Sequence, residues 1–197
     1  MRQPNNGSET IAMKPTMPSG WADDVLVFWF ETCKPEQWFK RDDALDETLR
    51  RRFLALHSAV AALPLEDCVA DARTALAATI VLDQFSRNMF RGTPAAFAAD
   101  PKALAIAEAA IARGFDVGFP SERRQFFYLP FEHAEDAIRQ ARCVELFTPL
   151  GEEAVRWAAA HKVIIDRFGR FPHRNAILGR ESTPEEIEFL RGPNSSF

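Results

Sequence analysis

Residues 100–114, Asp100-Pro101-Lys102-Ala103-Leu104-Ala105-Ile106-Ala107-Glu108-Ala109-Ala110-Ile111-Ala112-Arg113-Gly114, decide the fold class of this chain. An Asp able to cap stands before a Pro suited to the first helical position, and an alanine-rich body follows. Gly114 then supplies the residue type that turns left-handed just past a helix end. The stretch reads as an α-helix punctuated at both ends.

The same period continues outward on both sides. From Trp21 onward nearly every segment repeats apolar residues at three- and four-residue steps, and no segment alternates as a strand would. Helices are expected over about Trp21 to Glu31, Asp43 to Leu63 and Asp71 to Phe90. Ser121 opens a short helix ending before Pro130, and a longer one runs from Pro130 to Phe147. Another precedes Phe168, and Thr183-Pro184-Glu185-Glu186 is a capping box for a last short helix to Arg191. Helices joined by a few residues predict an all-α domain of antiparallel helical hairpins. No repeating W-x-x-L-G unit is present, so a strict tetratricopeptide array is not supported by the letters.

The 197 residues suit one domain, expected over 21–191, with polar tails at 1–20 and 192–197. A hydrophobic share of 47% and a charged share of 26% exclude a disordered or fibrous chain. Net charge -4 and a pI near 5.6 argue against a general nucleic-acid binder. The longest apolar run, Ala75 to Leu82, is far short of the roughly 20 residues that span a bilayer, so no membrane partner is expected. The N-terminus lacks the apolar core of a secretory signal, and Cys33, Cys68 and Cys143 show no pairing or metal spacing. A cytoplasmic protein with buried thiols is the expectation. Nothing in the letters selects an oligomeric state.

Chemistry is expected where polar residues interrupt apolar faces. On the helix over 71–90, the stripe begun by Leu76 and Ile80 continues through Asp83, Gln84, Arg87 and Arg91. Asp83 and Arg87 stand four apart with the acid first, the favourable order for a pair, so a salt-bridged helix end is the plain reading. A second row, His133, Asp136 and Gln140, falls on one face by three- and four-residue steps. A carboxylate beside a histidine raises its pKa and orients its ring, which is half of a general base. The spacing matches neither the paired Glu-x-x-His of di-iron bundles nor a zincin motif, so no metal is expected.

A third concentration is Phe168-Gly169-Arg170-Phe171-Pro172-His173-Arg174-Asn175, followed by Arg180. Gly169 suits the turn after a helix, and Pro172 stops the helix resuming. Arginine forks fit carboxylates and phosphates. They either clamp the protein's own acids, such as Asp83 or Asp136, or line a site for an anion.

Several of these segments together resemble an uncharacterised bacterial family, the domain of unknown function numbered 924, placed among tetratricopeptide-like helical folds. The matching text is VLVFWF with QWF (Trp38-Phe39), LDQFSRNMFRGTPAAFAAD, FYLPFEHAEDAIRQ and HKVIIDRFGRFPHRNAILGRESTPEEIEFL, over about residues 21 to 191. The resemblance implies a fold and gives no residue a catalytic role.

Three functions follow. The first is a helical binding module whose arginine-rich cleft takes an anionic small molecule or peptide, with Arg87, Arg91, Gln140, Arg170, His173, Arg174 and Asn175 as contacts. The second is an enzyme using His133 as acid/base, oriented by Asp136 or Asp83, with arginines stabilising negative charge. The third is a paired internal network with no ligand. No Gly-rich phosphate loop, dinucleotide fingerprint or nucleophile elbow is present, so no cofactor is expected.

Overall fold

The computed structural model describes residues 16–193 and residue 195. Residues 1–15 of the expected N-terminal tail, and 194, 196 and 197 of the C-terminal one, lie outside these. Among the described residues every regular element is helical. The chain runs α1 (Trp21–Val27), α2 (Pro35–Trp38), α3 (Asp43–Ala62), α4 (Leu65–Cys68), α5 (Ala72–Ile80) and α6 (Ser86–Met89). It continues through α7 (Asp100–Ala112), α8 (Ser121–Glu132), α9 (Ala137–Phe147), α10 (Glu152–Phe168), α11 (Asn175–Leu178) and α12 (Pro184–Leu190). α1 packs on α5, α5 on α7, α7 on α8, α8 on α9 and α9 on α10, while α3 covers α6.

This order follows from which faces are apolar. Trp29, Phe53, Phe85 and Phe126 come from four different segments and meet in one buried aromatic cluster, with Trp29–Phe85 at 5.4 Å and Phe53–Phe85 at 5.0 Å. Such contacts favour tilted and edge-on rings over face-to-face stacking. A smaller cluster of Ile164, Ile165 and Phe171, with Phe168 and Phe189 against it, holds the last helix and the turn after α10 to α10. Met17, within the expected tail, also packs on the main core.

Local punctuation behaves as its chemistry requires. Gly114 and Gly169 take φ of 71° and 68°. Thr183 and Glu186 form the reciprocal cap of α12. Cys33, Cys68 and Cys143 are buried and free.

Four features differ from the periodic reading, and three of them shape the site. The helix over 71–90 is α-helical only to Ile80, then widens into a π-turn at Val81–Phe85 before α6. Because the π-turn holds one extra residue, Asp83 and Gln84 both point inward, and all five residues are buried. The expected salt-bridged helix end is therefore interior over Val81–Phe85, although the Asp83–Arg87 pair itself forms at 3.2 Å. The first helix widens in the same way over Phe28–Thr32.

Pro130 does not open a new helix. It lies inside the last turn of α8, and the chain breaks at 133–136. Asp136 caps α9 by accepting from Arg139 N at 2.9 Å, so His133, Asp136 and Gln140 do not share one helical face. Asp100 also differs: it is the first residue inside α7, the position before it is Ala99, and its carboxylate is left to bond elsewhere.

Candidate functional site

A cleft of about 450 Å3 opens where the N-terminus of α7, the 94–98 segment, the α8–α9 break and α11 meet. Its walls are mostly apolar, with Phe97, Pro101, Leu104, Pro130 and Leu178 among them. Asp100, His133, Glu135, Asp136, Arg139 and Arg174 line it with polar groups. A smaller hollow of about 280 Å3 lies beside Trp21 and Arg73, but Arg73 is already paired with Asp23.

The π-turn supplies the floor. Asp83, 1% exposed, accepts from His133 Nδ1 at 2.7 Å and stands 3.2 Å from Arg87 Nη1. Burial alone would raise the Asp83 carboxyl, but Arg87, His133 and Gln84 together hold it below the usual carboxylate range. His133 is drawn down by burial and by Arg87, against the opposing pull of Asp83. At neutral pH the ring is uncharged, its Nδ1 proton is given to Asp83, and the Nε2 lone pair is unused by any described residue.

Arg87 spans the floor to the wall. Its two Nη atoms bond Asp100 at 2.9 and 3.0 Å. Arg174 contrasts with it: the side chain is 8% exposed, and its guanidinium rests against the rings of Phe97 and Phe171, at 4.7 and 4.5 Å. Its Nε is buried without a hydrogen-bond partner, and its Nη1 lies 3.6 Å from Asp100, beyond hydrogen-bond reach. Burial, then Arg87, lowers its pKa to about 10, so it remains charged at pH 7.

Beneath the cleft sits a buried pair, Glu132 and His161, with Nδ1 3.2 Å from Oε1. The spacing is that of an ion pair, yet burial and the nearby Asp83 push Glu132 up to about 8 while burial pulls His161 down to about 3. The neutral form is the consistent one, because His161 Nδ1 also reaches Trp157 O at 3.0 Å and Asp83 repels a second carboxylate.

The sequence-derived candidates divide sharply. Asp83, Arg87, His133 and Arg174 come together. Asp136 reaches the cleft wall but serves as the α9 cap and does not orient His133. Gln140 is buried and donates to the carbonyls of Phe131, Glu132 and Ala134, closing the α8 break. Arg91 pairs with Asp46 of α3. Arg170 grips Glu186 with 2.6 and 2.8 Å bonds, and Asn175 joins Ser182, Glu186 and Arg180. His173 tilts against Phe171, and burial lowers it to about 4. Most of the arginine-rich stretch is thus an internal clamp, whose acids are Glu186 and Glu135 rather than Asp83 or Asp136.

Glu135, Glu132, His161 and Asp100 were not singled out from the letters. Each pairs across tens of residues, for instance Glu135 with Arg180 at 2.6 Å and with Phe171 N at 2.8 Å. Only Asp100 carried a signal, as an acid before Pro101. Among the described residues no group of three or more His, Cys, Asp or Glu is arranged to hold a metal ion, and no helix is long and apolar enough to cross a membrane.

The sequence matches the family model for a bacterial protein of unknown function (DUF924) over residues 25–194. The chain belongs to the DUF924 family. A solved structure, that of a protein of unknown function from Agrobacterium tumefaciens, is 45% identical; the match covers 87% of this chain and 97% of that one, with a TM-score of 0.83. A comparison with curated proteins finds no match. The α8–α9 break and the π-turn that build the cleft both lie inside the DUF924 match.

Proposed function

We propose that this DUF924 protein binds a small anionic molecule in the cleft, with the Arg174 guanidinium as the anion contact. The observation that carries the reading is a charged arginine in a cleft wall whose side chain, 8% exposed, donates no hydrogen bond to any described residue. Buried donors are ordinarily satisfied, and a buried guanidinium has five to satisfy. The cleft volume falls in the range of roughly 300 to 1,000 Å3 common for small-molecule sites, which favours a small ligand over a peptide.

A second reading, that the bound anion is also a substrate, is favoured by one further observation. His133 is neutral, oriented through Nδ1 by the ionised Asp83, and lines the same cleft. That is the arrangement of a general base whose tautomer is fixed by a carboxylate.

A thermal-shift screen of small anions tests the binding reading, run on the wild type and on Arg174→Lys. A ligand at a hundredfold its Kd adds about 2.7 kcal/mol, or about 5 to 10 °C in a domain of this size. The shift is expected in the wild type and reduced in a folded Arg174→Lys. Equal shifts in both would remove Arg174 from the site. A ligand found this way is then incubated with wild type and His133→Gln, and turnover by the wild type alone supports the enzyme reading.

A further inference from the structure

We infer that the cleft is built for a monocarboxylate with a short apolar body, and that it discriminates against phosphate esters. The inference rests on the anion-binding reading and names the ligand class for the same site.

The head group is set by charge and donor count. Three carboxylates, Asp100, Glu135 and Asp136, line the cleft against two guanidiniums, Arg139 and Arg174. Two of those carboxylates are each gripped by both ends of an arginine: Asp100 by Arg87 and Glu135 by Arg180. Arg139 is shared among Asp136 and Glu108. One fork, that of Arg174, is left over. A planar carboxylate can take two of its N–H groups side by side and cancels its single charge. A phosphate monoester brings close to two charges at neutral pH and a third oxygen. It would meet three carboxylates with no second unused cation to balance it.

The body is set by the walls. Phe97, Pro101, Leu104, Pro130 and Leu178 surround the opening next to Arg174. None of these side chains can hydrogen-bond, so a polar tail there would lose its water without replacement. An alkyl or aryl tail gains by leaving water. The Phe97 ring serves both halves, holding the guanidinium at 4.7 Å and forming part of the apolar wall.

Isothermal titration of the full chain at pH 7.5 with acetate, butyrate, pentanoate, hexanoate, hexanamide and butyl phosphate tests this. Each methylene between acetate and hexanoate is expected to tighten binding about fourfold. Hexanamide and butyl phosphate are expected to bind at least about tenfold more weakly than hexanoate and pentanoate respectively. Butyl phosphate binding as well as pentanoate would overturn the carboxylate inference while leaving the anion site standing. Affinity that does not rise with chain length would overturn the apolar-body half alone. Hexanamide matching hexanoate, or no binding by any compound, would sink the anion-binding reading and this inference together. Arg174→Lys keeps the charge and loses the fork; about a tenfold loss for hexanoate with hexanamide unchanged is expected, and an unchanged hexanoate affinity counts against the inference. Should that variant fail to fold, the wild-type series decides by itself.

Discussion

Glu132→Gln removes a buried ionisable group without changing its shape, and its effect should depend on pH in a calculable way. Glu132 is 5% exposed, with Oε2 buried and unpartnered and with Asp83 nearby. Burial and that neighbour raise it from 4.5 to about 8 in the native state. Between these values the native chain holds a proton that the unfolded chain has released, so stability falls as pH rises. His161 and His173 act in the opposite sense. Buried and lowered to about 3 and about 4, they contribute stability above 6.5 that is lost as pH falls. Between pH 6.5 and 8 the unfolded histidines are still releasing protons, so these two, with His57 and His133, which burial also lowers, add a rising contribution. It is shared by wild type and Glu132→Gln, and the difference between the two proteins isolates Glu132. One proton over about 1.5 pH units, at about 1.4 kcal/mol each, predicts that the wild type loses up to about 2 kcal/mol relative to Glu132→Gln. Urea unfolding at pH 6.5, 7, 7.5 and 8 should show wild-type stability falling by this amount relative to Glu132→Gln, whose own profile rises as the unfolded histidines lose their protons. Equal slopes in the two proteins would mean that Glu132 is ionised at neutral pH, paired with a charged His161, and the account of the site floor would be wrong.

Three further outcomes follow from the same geometry. His133 should titrate below 6.5 in a nitrogen-resolved NMR experiment, because burial and Arg87 outweigh Asp83, with Asp100 and His161 also facing the ring; Asp83→Asn should lower it further, and a midpoint at or above 6.5 contradicts this. Gln140→Leu keeps the volume but strips the donor from three carbonyls at the α8 break, which should cost about 2 to 3 kcal/mol in chemical denaturation; a loss under about 0.5 kcal/mol would mean the break is held by packing alone. Glu135→Ala leaves Arg180 and the Phe171 N–H without their acceptor, and a loss of about 2 to 3 kcal/mol is expected, largely absent when Arg180→Ala is already present; independent, additive losses would show the pair is not coupled.

The helical class, the C-terminal ends of α7 and α10, the cap of α12, and the positions where chemistry could gather were legible from the letters because their causes are local. An apolar residue three or four places on lies on the same face whatever the rest of the chain does. Gly169 turns left-handed because it lacks a Cβ, and Thr183 with Glu186 closes a cap within four residues. The cap at Asp136 was equally local, an acid before Ala137-Ile138, but Pro130 drew the boundary to itself, since a proline can end one helix or sit in its last turn.

What the tertiary structure alone decided was the allocation of charge. Asp83 meets His133 across 50 residues and Arg91 meets Asp46 across 45. Arg170 finds Glu186 across 16, while the side chain of Arg174, four residues away in the same stretch, finds no hydrogen-bond partner among the described residues. No local pattern separates those two arginines. The choice depends on which acids the folded helices carry alongside them, and on a π-turn at Val81–Phe85 that faces Asp83 inward. Side-chain pairing energies act over a few ångströms of space, not of sequence, so the clamp and the cleft could be told apart only once the chain had packed.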